Sequence, residues 1–581
     1  MEMLNIKING MPLSVPSGLT ILEAARYAGI EIPTLCYLKE INEIGACRIC
    51  MVEVKGARSL VSACVYPVNE GMEIFTNSNK VRESRKMTLE LVLSTHNRKC
   101  LSCVRSGNCE LQKLCKEYGV ENEGRFDGAL PEFNYDDSMA HMIRDNSKCI
   151  LCRRCVAACN NQAISVIGAN SRGFDTSITS PFERNISEYS CISCGQCIAC
   201  CPTGALREKD DTDKVLAAIG DPDKYVVVQT APAVRAALGE EFGLPIGTDV
   251  EGKMAAALRR LGFDKVFDTN FGADLTIMEE SHELIERITN GGVLPMITSC
   301  SPGWIKYCEF YYPDQLDHLS SCKSPQQMFG ATVKTWYAQK MGIDPAKIVS
   351  VSVMPCTAKK FEVGRDDQNA SGYPDVDISI TTRELARMIK GAGINFNLLQ
   401  DEAFDSPLGE GSGAAVIFGA TGGVMEAALR TAVETITGKT LENVDFTEVR
   451  GMDGVKEATY SAGDLQVKVA VVSGTKNAKK IMEQVKNGTS EYQFIEIMAC
   501  PGGCINGGGQ PIVPASVRNF EDYRGKRAAA LYNSDKANAN RKSHNNESIK
   551  RVYDEFFGEP GSHKAHEILH TSYVKRGLYN N

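Results

Sequence analysis

Alternating apolar and polar residues at the start of the chain predict a β-strand over Leu4–Gly10. A helical period follows over Thr20–Ala28, and Gly29 is placed to end that helix. A second helical stretch covers Lys80–Leu93. The pattern therefore predicts a small β-rich domain in residues 1–80, followed by a helix.

From residue 213 onward, short apolar runs alternate with helical patterns. The runs have the length and composition of strands buried in parallel sheets. They are Tyr225–Gln229, Val349–Met354 and Val467–Val472, and the helical patterns between them include Gly252–Arg260 and Gly423–Ala432. This alternation predicts an α/β domain. The glycine-rich stretch 409–413 lacks the spacing of a nucleotide loop, and we interpret it as backbone that makes room for a cofactor.

Composition and charge narrow the function classes. The chain has 581 residues, of which 43% are hydrophobic and 23% charged, enough for several globular domains. Its net charge of −8 argues against a nucleic-acid partner. No run of eighteen apolar residues occurs, and no leader precedes the first strand pattern, so we expect a cytoplasmic protein without a membrane span.

Twenty-three cysteines in such a chain predict metal ligands rather than disulfides. The first group is Cys36, Cys47, Cys50 and Cys64. One C-x2-C pair with two outlying cysteines suits a [2Fe–2S] cluster, although the spacing is longer than in plant-type ferredoxins, and a zinc ribbon is the alternative.

A histidine stands beside the second group, which is His96, Cys100, Cys103 and Cys109. A lone histidine at a helix end is usually exposed or a cap, but next to three cysteines at this spacing it resembles a known [4Fe–4S] motif with one histidine and three cysteine ligands. A neutral imidazole in place of a thiolate would change the charge and potential of the cluster. Cys115, just beyond, is expected to be a buried thiol.

Two runs of C-x2-C-x2-C-x3-C form an internal repeat with the pattern of a two-cluster bacterial ferredoxin. In that pattern the fourth cysteine of each run ligates the cluster of the other run. One [4Fe–4S] cube is thus assigned Cys149, Cys152, Cys155 and Cys201, and the other Cys191, Cys194, Cys197 and Cys159. Cys200 is expected to be a core residue.

Three late segments carry cysteines near prolines or glycines: Thr298–Trp304, Met354–Glu362 and Glu496–Pro511. Alone, the last could be a glycine-rich turn beside two buried thiols. Together, the three segments resemble the signature motifs of the iron-only ([FeFe]) hydrogenases, and the resemblance extends over practically the whole chain. The N-terminal groups also resemble the ferredoxin domains of large hydrogenases and complex I-type subunits.

The resemblance implies a multidomain α/β and α+β protein. Its parts would be a β-grasp [2Fe–2S] domain (1–80), a [4Fe–4S] domain with one histidine and three cysteine ligands (81–137), a two-cluster ferredoxin domain (138–212) and an H-cluster domain with a C-terminal belt (213–581). The H-cluster joins a [4Fe–4S] cube to a diiron site with CO, CN⁻ and a bridging dithiolate.

The resemblance also implies roles for residues of the three segments. Cys356, Cys500 and Cys504 would hold the cube, with Cys504 bridging to the diiron site, and Lys359 would donate to a cyanide. The walls of the diiron pocket would include Met354, Met498, Ser324 and Gln326.

One position departs from the family pattern, which usually has two adjacent cysteines. Aligned without a gap, Cys300 passes protons to the diiron site and Ser301 takes the ligand position on the cube. A shift by one residue would instead make Cys300 the ligand. Serine suits iron less well than thiolate.

Protons need a separate route. Glu280, Glu283 and Arg287 fall on one face of a predicted helix. By itself this pattern is typical of a solvated face, but these positions and Ser320 match the proton relay of the family. Histidines in the tail, from His544 to His570, are expected to lie at the surface.

The function implied is reversible oxidation of H₂ to protons and electrons. The accessory clusters are expected to lie in a single row and to form an electron-transfer chain. With Ser301 at this position, the chain resembles the hydrogenase subunits of electron-bifurcating complexes, and this resemblance implies ferredoxin and flavin- and NAD(P)-binding subunits as partners. The alternatives are a stand-alone ferredoxin-dependent hydrogenase, or a non-turnover H₂ sensor or electron-transfer subunit.

Overall fold

The computed structural model describes residues 2–120, 125–463 and 465–579. Its N-terminal sheet has five strands. Their order is β2-β1-β5-β3-β4, with β1 parallel to β5 and antiparallel to β2. The strands are β1 (Met3–Ile8), β2 (Met11–Pro16), β3 (Met51–Val54), β4 (Val61–Ser62) and β5 (Glu73–Phe75). Helix α1 (Ile21–Tyr27) begins at Thr20, whose side chain forms a capping box with Glu23. The predicted strand and helix are confirmed.

The middle of the chain combines short helices with small sheets. Helix α2 (Asn79–Ser94) confirms the predicted helix, and α3 (Glu110–Glu117) follows it. The repeat region has a three-stranded sheet in the order β10-β7-β6 and a separate β8–β9 pair. Its elements are β6 (Tyr135–Asp136), β7 (Met142–Asp145), α4 (Arg154–Asn161), β8 (Gly168–Asn170), β9 (Ser177–Thr179), α5 (Gln196–Ala199) and β10 (Leu206–Glu208).

Two four-stranded sheets form the C-terminal part. The first, β12-β11-β14-β15, is parallel throughout. The second, β13-β18-β17-β16, is parallel except for β16. The strands are β11 (Tyr225–Thr230), β12 (Lys265–Asp268), β13 (Met296–Ile297), β14 (Ile348–Met354), β15 (Ile378–Thr381), β16 (Val455–Ala462), β17 (Leu465–Ser473) and β18 (Phe494–Met498). All three predicted strands are confirmed.

Helices surround both sheets, and the α/β prediction is confirmed. They are α6 (Thr212–Ile219), α7 (Pro232–Arg235), α8 (Glu251–Leu261), α9 (Thr269–Asn290), α10 (Pro302–Tyr311), α11 (Pro325–Thr332), α12 (Ala338–Met341), α13 (Ala358–Glu362), α14 (Thr382–Gly391), α15 (Gly413–Val416), α16 (Gly423–Thr437), α17 (Thr475–Lys486), α18 (Ala515–Arg518), α19 (Tyr523–Ala537), α20 (Glu547–Val552) and α21 (His563–Leu569). The domain boundaries stay predictions.

The three late segments follow the carboxyl ends of β13, β14 and β18, where parallel sheets place ligand sites. The glycine-rich stretch 409–413 does not make room for a cofactor, which corrects our expectation. A Cβ on Gly411 would lie 2.3 Å from Cβ of Asn270, and one on Gly413 would lie 2.3 Å from Oδ1 of Asp535. These glycines are required because neighbouring protein elements pack against them.

Within the described residues, no helix is both long and apolar enough to cross a membrane.

Candidate active site

Four thiols converge in the N-terminal domain. Sγ of Cys50 lies 3.3 Å from Sγ of Cys64, and the backbone N–H of Cys47 donates to Sγ of Cys36 at 3.4 Å. A hydrogen bond with Cys36 lowers the pKa of the Cys47 thiol below its usual value. Thiolates are the ligands of iron–sulfur clusters, so this group can hold a [2Fe–2S] cluster.

The imidazole of His96 has a free nitrogen. Its Nδ1 is buried and has no hydrogen-bond partner in the described part of the chain, and burial lowers the pKa of the ring to about 4, so the ring is neutral at pH 7. A neutral imidazole with an unpartnered nitrogen is a suitable metal ligand. Of the three cysteines predicted with it, Cys100 begins a 3₁₀ turn, Cys103 follows that turn, and Cys109 caps α3.

The ferredoxin-like repeat brings the predicted cysteines together in two crossed groups. One cavity is lined by Cys149, Cys152, Cys155 and Cys201, but not by Cys159. The pKa of the Cys159 thiol is raised to about 11 by burial and then by the neighbouring charge of Cys191. Burial is also the main cause that raises the pKa of the Cys197 and Cys194 thiols, and the charge of Cys191 raises both further. The crossed grouping fits two [4Fe–4S] clusters.

Both N-terminal groups adjoin the first of these crossed groups. The amide Nδ2 of Asn42 donates to the carbonyl of Cys36 at 2.9 Å and to that of Cys152 at 3.0 Å. Nη1 of Arg105, close to Cys103 in sequence, donates to the carbonyl of Cys201 at 2.9 Å. The ligand groups therefore form two branches that meet, and not the single row that we expected.

The second crossed group adjoins the third late segment. A Cβ on Gly508 would lie 2.5 Å from the carbonyl oxygen of Cys194, so the two backbones touch. Nε2 of Gln196 donates to the carbonyl of Asn506 at 2.8 Å, and Nε2 of Gln162 donates to that of Ala499 at 2.7 Å. Glycine at 508 is required by this close approach.

A cavity of about 60 Å³ lies between the ends of the two large sheets. Its walls are mostly apolar and contain three cysteines. The lining includes the predicted residues Cys300, Met354, Cys356, Lys359, Met498, Cys504 and Gln326, and also Ala231, Pro232, Ala233, Thr269, Ala273, Pro325, Pro355, Phe418 and Gly419, which the sequence did not reveal.

Ser301 lies outside this lining. It precedes α10, and its hydroxyl accepts a hydrogen bond from the backbone N–H of Ala499 at 3.3 Å. The next residue, Cys500, is buried, and its pKa is raised by burial and by the charges of Cys356, Cys194 and Cys504. Ser301 is thus beside the thiols of the third segment, while Cys300 faces the cavity.

Lys359 is held by a network that the sequence only partly revealed. Its Nζ donates to Oγ of Ser324 at 2.7 Å, to Oε2 of Glu362 at 2.8 Å and to the carbonyl of Cys300 at 3.3 Å. Nε2 of Gln326 also donates to Glu362, at 2.9 Å. Glu362 was missed, although its i,i+3 spacing from Lys359 is a signal for an ion pair.

Helix α9 carries the three predicted relay residues. Glu283 accepts hydrogen bonds from Nη2 of Arg287 at 2.6 Å and from Oγ of Ser320 at 2.7 Å. Glu280 is fully buried, and among the described residues neither of its carboxylate oxygens has a partner at hydrogen-bond distance, although Ser320 and the backbone of Ser299 are close enough to lower its pKa somewhat. Burial and the charge of Glu283 raise the pKa of Glu280 to about 8. Burial and then the charge of Glu280 raise the pKa of the Cys300 thiol.

Comparison with known proteins decides the family. Residues 224–508 match "Iron only hydrogenase large subunit, C-terminal domain", and 521–576 match "Iron hydrogenase small subunit". The chain is 50% identical over 588 residues to the NADP-reducing hydrogenase subunit HndD of Solidesulfovibrio fructosivorans, covering 99% of this chain and 100% of the relative. The chain belongs to the [FeFe]-hydrogenases.

Other relatives agree with this assignment. The hydrogenase is 46% identical over 579 residues to iron hydrogenase 1 of Clostridium pasteurianum, covering 99% of this chain and 100% of that one. The structure of apo [FeFe]-hydrogenase HydA1 from Chlamydomonas reinhardtii matches with a TM-score of 0.56 and 45% identity, over 64% of this chain and 100% of that chain.

Family matches in the N-terminal part support the accessory clusters. Residues 1–79 match a 2Fe-2S binding domain, 85–123 an NADH-ubiquinone oxidoreductase-G iron-sulfur binding region, and 148–205 a 4Fe-4S dicluster domain. The cofactors of this hydrogenase are [2Fe–2S] and [4Fe–4S] clusters and an H-cluster. The unpartnered His96 nitrogen and the converging thiols fit these groups.

The tail of the hydrogenase departs from our expectation. Nε2 of His570 lies 3.1 Å from Oε2 of Glu279, and that of His544 lies 2.8 Å from Oε2 of Glu434, so both rings are partly buried. His563 and His566, in contrast, are exposed as expected. Cys115 is half-buried and not buried, whereas Cys200 is a core residue as expected.

Proposed function

We propose that this hydrogenase is the H₂-activating subunit of a cytoplasmic complex that exchanges electrons with NADP(H) and ferredoxin. The observation that carries this proposal is full-length identity of 50% to a relative named as an NADP-reducing hydrogenase subunit. The balanced bifurcating reaction is 2H₂ + NADP⁺ + two oxidised ferredoxins → NADPH + 3H⁺ + two reduced ferredoxins. A flavin-containing partner would bind the nucleotide.

When bound, the H-cluster supplies the chemistry that interconverts H₂ with protons and electrons. We assign Cys356, Cys500 and Cys504 to the cube, with Ser301 at its fourth position. The cavity walls Met354 and Met498 exclude water from the diiron site, because both side chains are apolar and buried. Lys359 lines this cavity, and its Nζ would have to exchange one of its three present acceptors, Ser324, Glu362 or the Cys300 carbonyl, to donate to a ligand there.

A proton is proposed to pass between solvent and the cavity along Arg287, Glu283, Ser320, Glu280 and Cys300. Hydrogen bonds link the first three groups, and a carboxyl group with a pKa of about 8 can both release and take up a proton near neutral pH. Cys300 ends the route because its side chain lines the cavity.

Electrons are proposed to enter at the two N-terminal cluster groups and to meet at the group of Cys149. The link is short because Asn42 joins the carbonyls of Cys36 and Cys152 through a single amide. From there electrons pass to the group of Cys194, whose backbone touches Gly508.

Exposed apolar side chains mark surfaces where partner subunits could dock. Leu101, two residues before Cys103, is fully exposed. Ile44 and Val65 are exposed beside the [2Fe–2S] group. Exposed apolar patches near an electron entry point favour protein–protein contact.

The experiment compares two electron acceptors. We expect the native complex to reduce NADP⁺ with H₂, and Ile44→Lys or Leu101→Lys to lower that rate by about tenfold while H₂ oxidation with methyl viologen stays unchanged. Leu398→Lys is the control, because Leu398 is an apolar residue in the H-cluster region whose exposure, 75%, lies between those of Ile44 and Leu101. A native protein that is a lone chain and reacts only with ferredoxin would refute the proposal.

That result would favour the second candidate, a stand-alone ferredoxin-dependent hydrogenase. Its support is the 46% identity to iron hydrogenase 1, which covers the chain equally well.

A further inference from the structure

Three potential metal ligands lie together beside the proton route. The carboxylate of Glu283, the thiol of Cys322 and the imidazole of His570 each offer one ligand atom, and these atoms lie within 4.8 Å of one another. Sγ of Cys322 is 3.8 Å from Oε2 of Glu283. Neither the sequence motifs nor the proposed mechanism uses Cys322 or His570.

The tail holds this group in place. The backbone N–H of Lys323 donates to the carbonyl of Leu569 at 2.8 Å, and that of Thr571 donates to the carbonyl of Ser321 at 2.8 Å. These two bonds enclose Cys322 and His570, which face each other as a bridge pair. The imidazole is oriented further by Oγ of Ser321, 2.8 Å from Nδ1, and by Oε2 of Glu279, 3.1 Å from Nε2. A cation bound to His570 would replace one of these two partners.

The local charge favours a cation. Three carboxylates, those of Glu279, Glu280 and Glu283, act on the Cys322 thiol and raise its pKa after burial does. Arg287 pairs with Glu283 at 2.6 Å, and Glu280 has no hydrogen-bond partner. Because Glu280 is mostly protonated near neutral pH and Arg287 neutralises Glu283, the carboxylate charge left near Cys322 is that of Glu279. A divalent cation would offset this charge and stabilise the Cys322 thiolate.

We propose that Glu283, Cys322 and His570 form an inhibitory site for a borderline-soft divalent cation such as Zn²⁺. Sulfur, nitrogen and oxygen donors together are a typical zinc ligand set. On binding, the Cys322 thiol loses its proton to solvent and a metal–sulfur bond forms, with no change in oxidation state.

The site lies within reach of solvent. The side chains of Glu283 and Arg287 are 13% and 16% exposed, and the ring of His566, which stacks on His570 at 4.4 Å, is exposed. The cation would be coordinated by Oε2 of Glu283. This atom now accepts the hydrogen bond from Ser320, so the cation would compete with Ser320 for it. Its effect on turnover rests on the proposed proton route, whereas its binding does not.

The experiment adds zinc chloride to the fully loaded enzyme. We expect one zinc ion per chain with one sulfur ligand by zinc-edge X-ray absorption, and at least a tenfold loss of viologen-linked H₂ evolution that EDTA reverses. Cys322→Ser should weaken zinc binding by at least about 10- to 100-fold. Loss of a residue that only hydrogen-bonds a metal ligand already lowers metal affinity by that factor, and Cys322 would be a ligand itself. Cys308→Ser changes another buried cysteine, which lies 3.8 Å from the carbonyl of Tyr312 and outside the ligand group, and is the matched control.

His570→Gln provides a second variant if Cys322→Ser does not fold. Zinc without a sulfur ligand, or zinc binding that neither variant weakens, would overturn the site. Zinc bound with sulfur but without effect on turnover would support the site, overturn its inhibitory role and exclude Glu283 from the proton route.

Discussion

The hydroxyl of Ser301 accepts a hydrogen bond from the backbone N–H of Ala499 at 3.3 Å. This bond joins the first late segment to the third, one residue before Cys500. The preceding residue, Cys300, faces the cavity instead. Adjacent side chains in extended backbone point to opposite sides, so the two positions have different surroundings. This geometry favours the alignment without a gap.

Replacement of Cys300 by alanine tests that alignment. We expect an intact cube, measured by EPR and iron content, and a loss of H₂ turnover of about 100-fold or more, because a positioned proton-transfer group is removed. Cys308→Ala, at a buried cysteine outside the cavity, should retain turnover. Loss of the cube in the Cys300 variant would show that Cys300 is the ligand.

Deprotonation of Glu280 should lower the rate of H₂ evolution at alkaline pH. Its pKa of about 8 means that it is mostly protonated at pH 7 and loses its proton as the pH rises through about 8. Proton delivery should therefore fall above that pH, and a carboxylic-acid band in the infrared spectrum should disappear together with it.

Glu280→Gln should reduce turnover by about 100-fold and remove the inflection near pH 8. Glu286→Gln, on the exposed side of the same helix, should leave both unchanged. An inflection that persists in Glu280→Gln would exclude Glu280 as its origin.

Gly508→Ala should disturb the contact between the ferredoxin-like region and the H-cluster region. The added Cβ would lie 2.5 Å from the carbonyl oxygen of Cys194 and 2.6 Å from Cα of Gly195, and backbone cannot move aside as a side chain can. We expect a loss of about 1–3 kcal/mol in stability, with slower reduction of the H-cluster measured by stopped-flow spectroscopy.

Gly391→Ala is the matched control, since a Cβ there meets no atom within 4 Å. Equal melting temperatures and equal reduction rates in the two variants would contradict the close approach at Gly508.

The ligand assignments predict an iron content. One [2Fe–2S] cluster, three accessory [4Fe–4S] clusters, the cube of the H-cluster and two further irons give about 20 iron atoms per chain. Colorimetric iron analysis of fully loaded, active protein measures this value. Half that value at full activity would refute the cluster assignments, and the variant His96→Ala should lack the iron of one cube.

The sequence by itself determined which residues could be cluster ligands, because those ligands are separated by a few residues in recurrent spacings. It also determined the main strands and helices, since burial of one helix face or of a parallel strand imposes a period on the sequence. The sequence also shows that one of two adjacent cysteines in the family pattern is replaced, but it leaves open whether Cys300 or Ser301 takes the ligand position. The contact between Ser301 and Ala499 is what favours the alignment without a gap.

The tertiary structure decided how these groups are connected. Asn42 and Cys152 are 110 positions apart, and Glu279 and His570 are 291 apart, so no local spacing indicates either contact. The branched cluster arrangement and the buried tail histidines follow from such contacts. The glycines at 411 and 413 are a second example of what the sequence does not reveal. A glycine pattern indicates close packing, but it does not identify the residues that pack against the glycines. Only the packing of distant segments, driven by burial of both sheets, decides which neighbour fills that space.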